Sequence, residues 1–134
     1  MIVLDTNVVS EVLKPRPDDK VLSWMKSIEV RTSVTAMTVS ELYAGVAILP
    51  EGKKKATLRK VLDRVLSMYP ILSFDFLAAQ EYAEVVSRRR QSGQPISTVD
   101  AQIAAVCRAN NTVCATRNVK DFENTGVRLI NPWD

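Results

Sequence analysis

Short apolar runs of strand length alternate with helix-periodic stretches along the whole chain, and this alternation restricts the fold more than any other feature. Residues 2–4, 31–35, 71–74, 112–116 and 127–130 are apolar or rich in β-branched residues, as expected of strands buried in a sheet. Residues 7–13 read as a short helix stopped by Pro15 and Pro17. Asp18 caps a helix over 19–28, with Val21, Leu22, Trp24, Met25 and Ile28 on its apolar face. Thr38 opens a helix that runs to 48 or 49 and is closed by Pro50 and Gly52. Leu58, Val61, Leu62, Val65 and Leu66 give 53–68 a helical period, and Asp75 starts an amphipathic helix that closes on Arg88–Arg90 and Gly93. Residues 98–109 form the last long helix. No repeat, low-complexity tract or dividing linker interrupts the order. The pattern predicts an α/β chain, a three-layer α/β/α sandwich around a mainly parallel sheet, with residues 1–134 as a single domain.

In such a sheet the carboxyl ends of the strands share one edge, and ligands bind there. Asp5, Glu41 and Asp100 each sit where a strand or loop gives way to a helix, so three acids far apart in sequence are expected to meet. An ordinary capping role stays open to each. Thr38-x-x-Glu41 fits a capping box, Asp100 in the first turn of a helix complements its dipole, and Asp5 caps the helix that follows it. Asp5 is the least comfortable of the three in that role. It ends an apolar strand expected to be central, where desolvation of a carboxylate needs compensation that a cation supplies. Asn118 and Asp121 follow the strand at 113–115 and reach the same edge, with a surface turn as the plain alternative. Thr6 and Thr116 stand where their hydroxyls would orient carboxylates.

The chain contains no histidine, which removes Ser-His-Asp and Cys-His chemistry, histidine acid–base ribonuclease chemistry and the usual catalytic zinc sets. A cluster of carboxylates without histidine suits a hard divalent cation with oxygen ligands. The net charge of +3 is a modest bias toward polyanionic partners. Cys107 and Cys114 lie in apolar runs and read as buried thiols of a reducing compartment. No apolar stretch approaches the ~20 residues of a membrane span. The acid at position 5 and the lack of a basic leader argue against a signal peptide, so a cytoplasmic protein is expected.

Val3-Leu4-Asp5-Thr6-Asn7-Val8, Ser40-Glu41-Leu42-Tyr43-Ala44-Gly45, Asp100-Ala101-Gln102-Ile103-Ala104-Ala105 and Thr116-Arg117-Asn118 with Asp121-Phe122 together resemble the PIN domain. They are most similar to the VapC and FitB type, the toxin halves of bacterial toxin–antitoxin pairs. The resemblance spans essentially the whole chain, with all four segments in order. It implies a PIN-like fold whose acidic cluster binds Mg²⁺ or Mn²⁺ and hydrolyses RNA. Asp5, Glu41 and Asp100 match the principal acids, with Asp5 and Asp100 as the usual direct ligands and Glu41 joining them. Many relatives carry an aspartate where this chain has Asn118, so either Asp121 serves as the fourth acid or three suffice. Thr6, Asn7, Thr116 and Asn118 surround the acids as supporting residues.

The chemistry expected of these ligands needs no protein nucleophile. Mg²⁺ held by a few carboxylates keeps several waters, and water of lowered pKa attacks phosphorus in line. Arg117, then Lys14 and Arg16, are the expected RNA contacts, whereas Lys53–Lys55 and Arg88–Arg90 read as solvated or dipole-complementing charge at helix ends. A haloacid-dehalogenase-like site wants Asp-x-Asp where this chain has Asp5-Thr6-Asn7, and a receiver domain wants paired acids there. The alternative to an enzyme is a catalytically silent PIN-like module that binds nucleic acid or protein, which retention of all three acids disfavours. The resemblance further implies a homodimer masked by a small cognate antitoxin, with DNA reached only indirectly through the antitoxin. Trp24, Met25 and Ile28 with Leu42, Tyr43, Val46 and Leu49 exceed what one side of a thin sheet needs, and part of that surface suits a groove for a partner helix.

Overall fold

Strand β1 (Ile2–Leu4) is buried on both faces, as its unbroken apolar triplet requires, and every other strand is arranged outward from it. The computed structural model describes residues 1–134. The chain continues through α1 (Thr6–Val12), α2 (Asp19–Ser27), β2 (Thr32–Thr35), α3 (Ala36–Ala47), α4 (Lys53–Leu66) and β3 (Ile71–Leu72). It then forms α5 (Phe76–Gln91), α6 (Thr98–Ala109), β4 (Val113–Ala115), α7 (Val119–Phe122) and β5 (Leu129–Ile130). All strand pairs are parallel, in the order β3-β2-β1-β4-β5. The α/β/α sandwich and the central first strand expected from the alternation are therefore present.

Alternation along β1 divides the interior. Ile2 and Leu4 face the layer of α1 to α4, with Val34, Leu42, Val46, Leu62 and Leu66. Val3 faces the opposite layer, where Val85, Ile103, Ala104, Cys107, Cys114 and Phe122 close over it. Cys107 and Cys114 are free and buried.

Two local expectations are corrected. Helix α3 starts at Ala36, not Thr38. Its cap is Thr35, whose hydroxyl accepts from the Thr38 N–H at 3.2 Å, so Glu41 lies beyond the reach of a capping box. The segment after β4 is a short helix, α7, rather than a simple turn. Asp18, Asp75 and Ser97 cap α2, α5 and α6 with side-chain hydrogen bonds.

Leu62 is fully buried, whereas Ile48 is 84% exposed at the end of α3. Leu62→Ala is expected to cost about 2–5 kcal/mol in urea unfolding, and Ile48→Ala to stay within about 0.5 kcal/mol. Equal costs at the two positions would mean that α4 does not pack as described.

Candidate metal centre

The strand order reverses across the gap between β1 and β4, because β2 and β3 extend one way and β4 and β5 the other. A crevice forms at the carboxyl ends of strands at such a switch point. Asp5 follows β1 and Thr116 follows β4. The Asp5 N–H donates to the Ala115 carbonyl at 2.9 Å, which ties the two strand ends together. A cleft of about 390 Å³ opens here, and Asp5, Glu41 and Asp100 line it with Thr6, Asn7 and Asn118.

Asp5 is only 5% exposed and is gripped on both oxygens. Its Oδ1 accepts from the Thr6 N–H at 2.8 Å, capping α1. Its Oδ2 accepts from Thr116 Oγ1 at 2.8 Å and from Asn7 Nδ2 at 3.2 Å. The Thr116 hydroxyl in turn accepts from Asn7 Nδ2 and from the Asn118 N–H, which fixes the direction of its own proton toward Asp5. Glu41, carried by α3, accepts from Thr6 Oγ1 at 2.6 Å. With that proton committed, Thr6 accepts from Thr38 Oγ1 at 3.0 Å, and Thr35 donates to Thr38. A chain of three threonine hydroxyls thus ends on the Glu41 carboxylate. In sequence Thr35 reads only as the end of a strand and Thr38 only as a helix start and capping residue, so their link to Glu41 through Thr6 has no local signal.

Burial pushes the Asp5 carboxyl from its ordinary 3.8 up to about 6, with Asp100 and Glu41 adding repulsion against the Thr116 and Thr6 hydrogen bonds. Burial also raises Asp100, and the carboxylates of Asp121 and Glu41 push the same way against Ser97 and Arg89. The four acids therefore share one electrostatic environment. Asp121 itself is exposed on α7 and does not line the cleft, whereas Asn118 does. No three Asp, Glu or Cys side chains converge closely enough to ligate an ion directly. A smaller direct set completed by water is what Mg²⁺ accepts, so an all-oxygen, like-charged donor set of this kind fits a hard divalent cation.

The cationic candidates separate. Arg117 lines the cleft, its N–H donates to Asn7 Oδ1 at 3.2 Å, and its guanidinium lies over Trp133. Lys14 also lines the cleft but pairs with Glu11 at 2.9 Å. Glu11 is nearly buried, and the Lys14 hydrogen bond, then the Asp18 N–H, hold its carboxyl below the usual range. Arg16 is exposed and outside the cleft lining. Arg89 departs from the solvated role expected of its run. It is 4% exposed, and its guanidinium donates to the carbonyls of Gln94, Pro95, Lys120 and Glu123. It joins the loop leading to Ser97 and Asp100 to the helix that carries Asp121.

Beside the acids, an apolar trough of about 340 Å³ runs between α1, α3 and α4. Leu13, Leu42, Val46, Leu58 and Leu62 line it, and Glu41 and Lys14 are shared with the cleft.

Because the folded pKa of Asp5 lies above its unfolded value, its ionised form opposes folding. The penalty is absent below the unfolded value of 3.8, grows as pH rises, and is complete above about pH 6. In EDTA, Asp5→Asn keeps a competent cap and should exceed wild type in stability by on the order of 2–3 kcal/mol above pH ~7, the gap closing near pH ~4. Urea unfolding across that range checks this. A gap independent of pH would mean that Asp5 ionises as freely in the fold as outside it.

Comparison with known proteins agrees with this geometry. The PIN domain model matches residues 2–127. The plasmid stability protein StbB of Pseudomonas syringae pv. tomato is 41% identical, covering 100% of this chain and 99% of its own. VapC ribonuclease Y4jK of Sinorhizobium fredii is 39% identical over 100% of this chain and 99% of its own. Toxin FitB of Neisseria gonorrhoeae is likewise 39% identical, with 99% of each chain covered. Among solved structures, that of FitAB bound to an IR36 DNA fragment superposes with a TM-score of 0.94 at 37% identity, covering 100% of this chain and 96% of that one. The fold, the switch-point cleft and these matches along the full length agree: the chain belongs to the PIN-domain family.

Proposed function

We propose that this protein is a metal-dependent endoribonuclease that serves as the toxin of a toxin–antitoxin pair. The observation that carries the reading is the repulsive meeting of Asp5, Glu41 and Asp100 in one cleft, with Asp5 raised to about 6. The relatives that bear the names ribonuclease and toxin match from end to end, which supports both halves of the proposal. Asp5 and Asp100 are the direct ligands of Mg²⁺ or Mn²⁺, with Glu41 as the third acid and Asp121 acting on Asp100 through its charge.

When bound, the ion supplies an acidified water and positive charge against the phosphoryl oxygens. The protein's own groups prepare that event. Thr116, Asn7 and the Thr6 N–H hold both Asp5 oxygens in one orientation, and the Thr6 hydroxyl holds Glu41. Asn118 fixes the Thr116 hydroxyl through its backbone N–H. Arg117 meets the phosphate backbone, and exposed Arg16 extends the positive margin beyond α1, where Lys14 is already paired with Glu11.

The trough beside Glu41 suits an amphipathic segment of a small antitoxin, whose basic residue would compete with the ion for the acids. The complex named FitAB on DNA supports an assembly that reaches DNA through its partner. Ile71, Phe76 and Leu77, each more than half exposed near edge strand β3, offer an apolar face for a second copy in a homodimer. Two free, buried cysteines suit the reducing cytoplasm in which RNA is met.

Purified protein should cut single-stranded RNA with Mg²⁺ or Mn²⁺, stop in EDTA, and lose about 100-fold or more of its rate as Asp100→Asn with the fold intact. Millimolar ion should raise the melting midpoint of wild type and not that of Asp100→Asn. Undiminished cleavage in EDTA, or by Asp100→Asn, would overturn the metal mechanism. Co-expression with the neighbouring reading frame tests the toxin assignment: a chain harmless when expressed alone, with no captured partner, would refute it.

A further inference from the structure

Trp133 is the single hydrophobic residue lining the acidic cleft. Pro132 is buried, the Trp133 N–H donates to Asn131 Oδ1 at 3.0 Å, and part of the indole packs on the core beneath α1 to α4. The rest of the ring faces Arg117, whose guanidinium carbon lies 5.1 Å from the indole centroid. Arg117 forms no ion pair with any of the nearby carboxylates. Core packing explains the inward edge of the indole. It does not explain an aromatic plane inside a polar cleft, held against an unpaired cation.

We propose that Arg117 and Trp133 together form a nucleobase-stacking subsite, which receives the base next to the phosphate held at the acids. The proposal rests on the nuclease reading and deepens it, by giving the base beside the scissile bond a contact of its own. A polynucleotide offers phosphate, sugar hydroxyls and base faces, and only the base face matches a planar guanidinium backed by an indole. Aromatic rings and guanidinium planes are the two side-chain surfaces on which splayed bases stack. Here one already lies on the other, so the guanidinium loses little further freedom when a base covers its open side. The subsite is also close to the chemistry. The Arg117 N–H donates to Asn7 Oδ1 at 3.2 Å, and the adjoining Thr116 donates to Asp5 at 2.8 Å. The base engaged therefore belongs to a nucleotide flanking the scissile bond. Lys14 offers no equivalent, because its charge is taken by Glu11.

The chain has two tryptophans, so Trp24→Phe leaves Trp133 as the only indole emitter. This variant, in EDTA, is titrated with a short unstructured RNA and with the same RNA made abasic at its central positions. Base stacking predicts quenching of Trp133 by the first and little by the second. Read by the anisotropy of a dye carried on the RNA, Arg117→Ala and Trp133→Ala should each weaken binding of the intact RNA about fivefold or more, while Trp133→Phe stays near the parent. Equal quenching by both RNAs, or wild-type affinity in Trp133→Ala, would overturn the subsite. If wild type with Mn²⁺ cleaves RNA in that case, the nuclease reading stands without it. Base-dependent quenching in a protein that cleaves nothing with either ion would instead refute the nuclease reading and retain the subsite. A Trp133→Ala chain that fails to fold leaves the quenching contrast and the Arg117→Ala affinity to decide.

Discussion

A carboxylate at the end of the central strand of a parallel sheet is desolvated, and the surroundings of Asp5 are organised around that cost. The switch in strand order opens a crevice at its side chain, three donors restrain its oxygens, and two further acids enter the same space from α3 and α6. Hydrogen bonds favour the charged form of Asp5, yet burial outweighs them and leaves the pKa raised. The imbalance is what a cation would remove. The same reasoning explains the hydroxyl chain through Thr35, Thr38 and Thr6, which brings a neutral donor to Glu41 without adding a positive charge that would compete with an ion.

The parts of this arrangement legible in the sequence were those with local signals. An apolar triplet followed at once by Asp5 announced a central strand ending in a buried acid, and Ser97 to Ala101 announced a capped helix with an acid in its first turn. The start of α3 was misread because Thr38-x-x-Glu41 imitates a capping box, while the true cap, Thr35, lies at the strand end two residues before Met37. Arg89 cannot be told from its neighbours in a run of three arginines, because what distinguishes it is four carbonyls, two just past its own helix and two at α7 some thirty residues on. Trp133 carried no sequence signal at all. Its partner Arg117 lies on another strand's exit, and only the pairing of β4 with β5 brings them together.

The division of charges is similarly a property of packing. Lys14 and Arg117 look alike from composition, yet one is neutralised by Glu11 and the other is stacked and unpaired. Of the cleft's two cations, Arg117 therefore carries the unspent charge. The apolar trough shares Glu41 and Lys14 with the cleft. A ligand seated in the trough would consequently meet one acid and one base at the boundary of the metal centre.

The Arg89 clamp has a bearing on how stiff the centre is. Asp5 sits at the end of the central strand and Asp100 on a twelve-residue helix packed beneath α5, elements that open only with much of the molecule. Asp121 rides on a helix of four residues. The only side chain hydrogen-bonded to the backbone of that helix and also to the loop before α6 is Arg89, through the carbonyls of Lys120 and Pro95. Amide exchange should accordingly divide the centre into a slow half and a fast half. The charge facing Asp100 from α7 then becomes adjustable by a small local opening, while the grip on Asp5 persists until the sheet itself gives way.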